Sequence, residues 1–164
     1  MKGGRYAATS FLVMTLSIHT DGSYRAKTKL GAWGFIATYD DNEFTQVGEV
    51  ADTTNNVMEI QAVKAALEFI IDFDIEDQFE EIIIYCDSTY VVNSLTLWWD
   101  GWVKKNFRTA SGPVKNKELL ESTKELLDKT NKVKLQWVKG HADNRLNNKV
   151  DRLVQEATKK KTSD

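Results

Sequence analysis

At 164 residues, with 41% hydrophobic and 28% charged side chains, the chain has the size and composition of one globular domain with a substantial core. No apolar run approaches the roughly 18 residues that span a bilayer, and the basic start MKGGRYAATSFLVM carries too short an apolar run for a secretory signal. A net charge of −2 excludes a uniformly cationic nucleic-acid binder, so any such affinity must come from local patches; the lone cysteine, Cys86, excludes an internal disulfide and fits a reducing cytoplasm.

In chain order, residues 1–10 read as a flexible extension, 11–158 as the folded domain and 159–164 as a flexible tail. Phe11 to Thr20 is predicted as a first strand; residues 30–39 and 44–50 follow as two more, joined by the turn cluster Asp40-Asp41-Asn42. From Asn56 the apolar period changes from 2 to 3.6, with Glu59, Ala62, Val63, Ala66 and Ile70 on one helical face that runs to about Phe73. The acidic run Asp72 to Glu81 reads as a solvated helix end and loop. Ile82–Cys86 is apolar on both faces, as a central parallel strand should be, with Cys86 a buried core thiol. Short helices are expected around Ser88–Leu97 and Trp99–Lys105, a longer one over Lys117–Lys129, a strand over Lys132–Val138 and a last helix from about Asn144. Helices alternating with strands imply right-handed parallel crossovers, hence an α/β fold with a mixed sheet.

Asp21, Glu59, Asp87 and Asp151 stand where folding alone does not call for acids. Asp21 and Asp87 each close an apolar strand, Glu59 lies inside a helix's apolar stripe and Asp151 beside another. Each also has a structural reading: Asp21-Gly22-Ser23 as a turn, Asn56 to Glu59 as a capping box, Asp87 as the cap of the next helix, Asp151 as a surface acid. Together they are harder to dismiss, because buried acids placed close to one another repel unless cations offset them. Strand ends at the carboxyl edge of a parallel sheet are where α/β proteins assemble their sites. A carboxylate-only donor set suits Mg²⁺ or Mn²⁺ rather than Zn²⁺, and two such ions can drive phosphodiester hydrolysis.

The segment WWDGWVKKNFRT sets Trp98, Trp99 and Trp102 beside Lys104, Lys105 and Arg108, a combination suited to sugar–phosphate contacts. Trp98 is expected mostly in the core, with Trp102 and Phe107 partly exposed. His141, in KGHAD, is a lone loop histidine; beside a metal site its pKa range suits proton transfer or product departure.

In their order and spacing, HTDGS, TTNNVMEI, YCDSTYV, WWDGWVKKNFRTASGPVKN and WVKGHAD followed by NNKVDRLV resemble ribonuclease H of type 1 over about residues 16–158. The resemblance implies a five-stranded mixed sheet flanked by helices and an endonuclease that cuts the RNA strand of RNA/DNA hybrids, leaving 5′-phosphate and 3′-hydroxyl ends. It implies a site of two Mg²⁺ ions, or Mn²⁺, held by Asp21, Glu59, Asp87 and Asp151, with Asp21 bridging, Glu59 on the leaving-group side and Asp151 on the nucleophile side. His141 matches a mobile-loop histidine that assists turnover, and residues 98–109, with Lys104 and Lys105, match a basic protrusion that grips DNA. Asn55 and Asn56 match residues that contact RNA, Thr54 and Asn116 a DNA-phosphate pocket, and Trp102 a residue along the DNA sugars. Departures lie at Arg25–Lys29, where cationic contacts replace an amide one, at Asp52, in place of an arginine, and at Thr89, in place of an RNA-touching glutamine. The rival readings are a junction resolvase or exonuclease on the same fold, a non-catalytic hybrid-binding module, and a ribonuclease H domain from a viral or mobile-element replication system. No membrane partner is expected, and a monomer is.

Overall fold

The computed structural model describes residues 14–140 and 143–160. Strands β1 (Thr15–Arg25), β2 (Leu30–Tyr39) and β3 (Asn42–Ala51) form an antiparallel meander. Helix α1 (Asn55–Asp72) leads to β4 (Glu81–Cys86), which pairs parallel to β1; helices α2 (Thr89–Leu95) and α3 (Trp99–Lys104) follow. A small hairpin, β5 (Arg108–Thr109) with β6 (Gly112–Pro113), precedes α4 (Lys117–Asp128), β7 (Val133–Trp137) and α5 (Arg145–Thr158). The main sheet has five strands in the order β3-β2-β1-β4-β7, mixed as the sequence implies. No helix among the described residues is long and apolar enough to cross a membrane.

Alternation along β2 builds the layers. Phe35 and Ala37 face the main core with Leu16, Ile18, Ile60, Val63, Leu67, Ile82 and Ile84, whereas Ala32 and Ile36 face a second cluster with Val150, Val154 and Ala157 of α5. Helix α1 is thus buried between the sheet and α4, and α5 covers the opposite face over β1 and β2. Because α5 does not extend across β4, Ile83 and Tyr85 are only half-buried while Ile82, Ile84 and Cys86 are buried. The expectation of a strand buried on both faces is corrected accordingly.

The ends of elements also differ from the sequence reading. Residues 11–13 of the expected first strand, and the expected extension, lie outside the described residues. At its other end β1 does not stop at Thr20. Its last rung with β4 is Thr20 opposite Cys86, yet it continues to Arg25 paired only with β2. Asp21 is therefore inside a strand, not in a turn. The N-cap of α1 is Thr54, whose Oγ1 accepts from the Val57 amide at 3.1 Å, so Asn56 and Glu59 form no capping box. The cap of α2 is Ser88, with Oγ 3.2 Å from the Val91 amide, and not Asp87. The acidic run is not all solvated loop. It contains a 3₁₀ turn, Ile75–Gln78, and the Glu76 carboxylate accepts from the Asn131 and Lys132 amides at 2.8 and 2.6 Å, fastening it to the start of β7.

Gly22 lets β1 and α1 meet. A Cβ there would stand 2.2 Å from the Met58 carbonyl carbon and 2.4 Å from the Glu59 amide nitrogen, both backbone atoms that cannot swing aside. Gly22→Ala is therefore expected to cost at least about 2 kcal/mol in denaturant unfolding, by overpacking. An unchanged unfolding midpoint would contradict this tight contact.

Candidate active site

Asp21 and Asp87 are each the first residue beyond the last rung of the β1–β4 ladder. Parallel pairing carries both strands in one direction, so their acids emerge side by side at the same edge. Asp21 shares its strand face with His19, Ser23 and Arg25, toward α5, and α5 supplies Asp151. From the other side of the sheet, the Gly22 contact presses the first turns of α1 close, and α1 supplies Glu59.

These acids feel one another. Asp21 is only 7% exposed, and its Oδ2 has no hydrogen-bond partner. Burial pushes its pKa up to about 9, helped by the Asp87 charge and by a hydrogen bond with, and the charge of, Asp151; the Gly22 backbone opposes the rise. Glu59 rises to about 7, through burial and the Asp87 charge, against a hydrogen bond from the Ser88 hydroxyl. Around them the setting is unreactive. Burial lifts the Cys86 thiol to about 12, and it lowers His19, stacked on Tyr85 at 4.7 Å, to about 4. The loop after β7 closes in tightly: a Cβ on Gly140 would stand 3.0 Å from Asp87 Oδ2. The Trp137 indole donates to the Asp87 carbonyl at 3.2 Å.

Among the described residues, no three acid, histidine or cysteine side chains already enclose a metal position. The donor set nonetheless fits a hard divalent cation. It consists of carboxylates, one of them with an orphaned buried oxygen, and burial with neighbouring like charge raises the pKa of Asp21 and Glu59, which a bound cation would offset.

The family model for RNase H matches residues 14–159. The chain belongs to the RNase H family. Curated relatives named Ribonuclease H include one from Clostridium botulinum, 42% identical over 145 residues, covering 85% of this chain and 93% of the relative. Another, from Bartonella tribocorum, is 37% identical over 143 residues, covering 87% of this chain and 88% of the relative. In fold the chain matches the crystal structure of LC9-RNase H1, a type 1 RNase H with the type 2 active-site motif, at a TM-score of 0.72. That match has 21% identity and covers 90% of this chain and 73% of the other. Membership in the RNase H family makes the protein a nuclease of the hydrolase class, as the sequence reading expects.

Other expected site residues are placed more variously. His141 lies outside the described residues. Thr54 is the cap of α1, and the Asn116 amide donates to the Tyr90 hydroxyl at 3.1 Å. Asn55 accepts from the Tyr24 amide at 2.6 Å, while Asn56 and Thr89 are exposed near the starts of their helices. Trp102 is half-buried and forms a wall shared by two clefts. One, of about 320 Å³, is lined by Trp98, Lys105 and Arg108; the other, of about 230 Å³, by Tyr90, Val114 and Lys115. Lys104 and Lys105 are exposed. Trp98 is 40% exposed and tilted against Trp102, not in the core; Trp99 packs there instead, edge-on to Phe107. Arg25, expected to offer a phosphate contact, bonds instead to Thr158 and Gln155 of α5, leaving Lys27 and Lys29 as the exposed cations of that turn. Asp52 is exposed with φ of 52°, and its amide donates to the Lys29 carbonyl at 3.0 Å. Sequence reasoning missed Ser88, which serves both Glu59 and the α2 cap, and Gln155. The Asp-Ser pair pointed to a cap but to the wrong residue.

The raised acids set a pH dependence. Their protons are retained in the folded state and already lost in the unfolded one, so stability falls as pH rises toward the folded pKa values. His19, lowered to about 4, is neutral in both states at the upper end of the range and drops out. In chelator, unfolding free energy is expected to decline between about pH 6.5 and 8.5, on the order of 1 kcal/mol per pH unit, and Mg²⁺ to restore more of it at the higher pH. Denaturant titrations at both pH values check this; stability rising with pH in chelator would contradict it.

Proposed function

We propose that the protein is an endonuclease that hydrolyses the RNA strand of RNA/DNA hybrids, leaving 5′-phosphate and 3′-hydroxyl ends. The observation that carries the reading is that Asp21 and Asp87 emerge together just past the last β1–β4 rung, with a buried Asp21 oxygen left without a partner, in a chain of the RNase H family. Asp21, Glu59, Asp87 and Asp151 would hold two Mg²⁺ ions, or Mn²⁺, which when bound supply an activated water and stabilise the charge of the leaving oxygen. In the reaction the water oxygen bonds to phosphorus, the bond from phosphorus to the 3′-oxygen breaks, and that oxygen takes up a proton. His141, in the loop that follows Gly140, is the candidate for assisting that proton movement or product departure.

The protein's own groups prepare this chemistry. Ser88 caps α2 beside Asp87, and its hydroxyl opposes the rise of the Glu59 pKa, which keeps that α1 carboxylate more readily charged. Asn55 is held by the Tyr24 amide and leaves its NH₂ to donate; with Asn56 it lies beside Glu59, where an RNA 2′-hydroxyl would be read. Lys104, Lys105 and Arg108 supply charge beside the apolar walls of Trp98 and Trp102, a surface suited to a DNA strand's phosphates and sugars. Asn116 and Thr54 each use their side chains in internal bonds, so a phosphate there meets groups already oriented. The protein is expected to act as a monomer in the cytoplasm.

Labelled RNA/DNA hybrid, duplex RNA and duplex DNA, each with Mg²⁺ or chelator, test the reading. Cleavage of RNA in the hybrid alone, abolished by chelator, is expected, with Asp21→Asn lowering the rate by at least roughly a thousandfold while hybrid binding persists. Binding without cleavage by the parent protein would favour the non-catalytic reading, and equal cutting of duplex DNA would refute the specificity.

A further inference from the structure

Strand β1 and helix α5 face each other along matched stripes. On the strand, Asp21, Ser23 and Arg25 alternate onto one face; on the helix, Asp151, Gln155 and Thr158 recur at spacings of four and three residues. The stripes meet rung by rung. At the active-site end Asp151 stands close enough to Asp21 that its charge helps raise the Asp21 pKa. One turn further, Gln155 Nε2 donates to Ser23 Oγ at 3.1 Å, and Gln155 Oε1 accepts from Arg25 Nη2 at 3.4 Å. At the far end, Arg25 Nε donates to Thr158 Oγ1 at 3.3 Å and Thr28 Oγ1 donates to the Thr158 carbonyl at 2.6 Å.

We propose that Gln155 is a positioning residue that fixes where Asp151 stands against Asp21. The inference rests on reading Asp151 as a metal-holding carboxylate. The apolar seat of α5, Val150, Val154 and Ala157 on Ala32 and Ile36, holds the helix to the sheet, but apolar contact is non-directional and does not set its position along the strand. At the active-site end, whenever Asp21 and Asp151 are both charged, their repulsion pushes the helix and strand apart. The Gln155 rung lies one helical turn from Asp151 and two strand residues from Asp21, so it opposes that push where leverage is greatest. It is directional, part-buried and made from both ends of one amide. Arg25 belongs to the same device: its guanidinium is consumed in orienting Gln155 and Thr158, which accounts for a cation at this position that does not reach outward. Loss of outer groups that orient metal ligands weakens metal affinity.

Mn²⁺ binding, followed by loss of the free-ion electron paramagnetic resonance signal without substrate, gives a readout independent of turnover. Gln155→Met keeps the volume and removes both bonds; Ser23→Ala, the milder change, removes one. Each is expected to weaken Mn²⁺ binding roughly tenfold, the double variant no further than Gln155→Met alone, with thermal midpoints in chelator within a few degrees of the parent. Unchanged Mn²⁺ affinity in both variants, with only the midpoint lowered, would overturn the proposal and leave the rungs as structural bonds. A parent protein whose Mn²⁺ binding is absent, or is unaffected by Asp21→Asn, would overturn the metal reading and this proposal with it.

Discussion

The structure turns on the repulsion between carboxylates that the β1–β4 ladder delivers to one edge of the sheet. Asp21 and Asp87 follow the same last rung, Thr20 opposite Cys86, so the pairing that stabilises the sheet also forces the two acids together. Neither can retreat. β1 continues past the site along β2, which holds Asp21 in an extended strand, and Asp87 is hemmed by Gly140 and capped over by the Trp137 indole on its carbonyl. Burial first, and the Asp87 and Asp151 charges after it, push the Asp21 pKa up, and its unpartnered Oδ2 marks a position prepared for something other than a protein group.

Much of the remaining structure can be understood as holding other groups against that edge from two sides. On one face, the absence of a side chain at Gly22 lets the first turn of α1 lie on the strand, and Ser88 then fastens Glu59. On the other, apolar packing seats α5 and polar rungs set its position, which brings Asp151 to Asp21. The aromatic and cationic surface proposed for nucleic acid is built separately, on α3 and the small hairpin after it. There Asn106 and Phe107, both with positive φ, turn the chain so that Phe107 tucks against Trp99 and beneath the Lys117 ammonium. The cations stay outside that small aromatic core, next to the exposed faces of Trp98 and Trp102.

The order of strands and helices and the meander followed by parallel crossovers were legible in the sequence, because period carries them, and strand-end placement put Asp21 and Asp87 at one edge of the sheet. What was not legible depended on which elements cover which. The half-buried outer side of β4 follows from α5 stopping over β1 and β2, and no local pattern in Ile82–Cys86 encodes that. The continuation of β1 beyond Asp21 depends on pairing with residues 30–34, whereas Asp-Gly-Ser in isolation resembles a turn. Two caps were displaced, to Thr54 and Ser88, because several adjacent residues there can all cap a helix and only the helix start selects one. Arg25 read as a surface cation since its partners, Gln155 and Thr158, lie some 130 positions away in sequence.

If the acids are held together against their folding preference, removing one charge should stabilise the metal-free protein even as it disables the site. The most direct measurement is the unfolding free energy of Asp21→Asn against the parent in chelator. The variant is expected to be more stable, with an advantage that widens as pH rises toward the raised Asp21 pKa. A variant equal to or less stable than the parent across that range would contradict it.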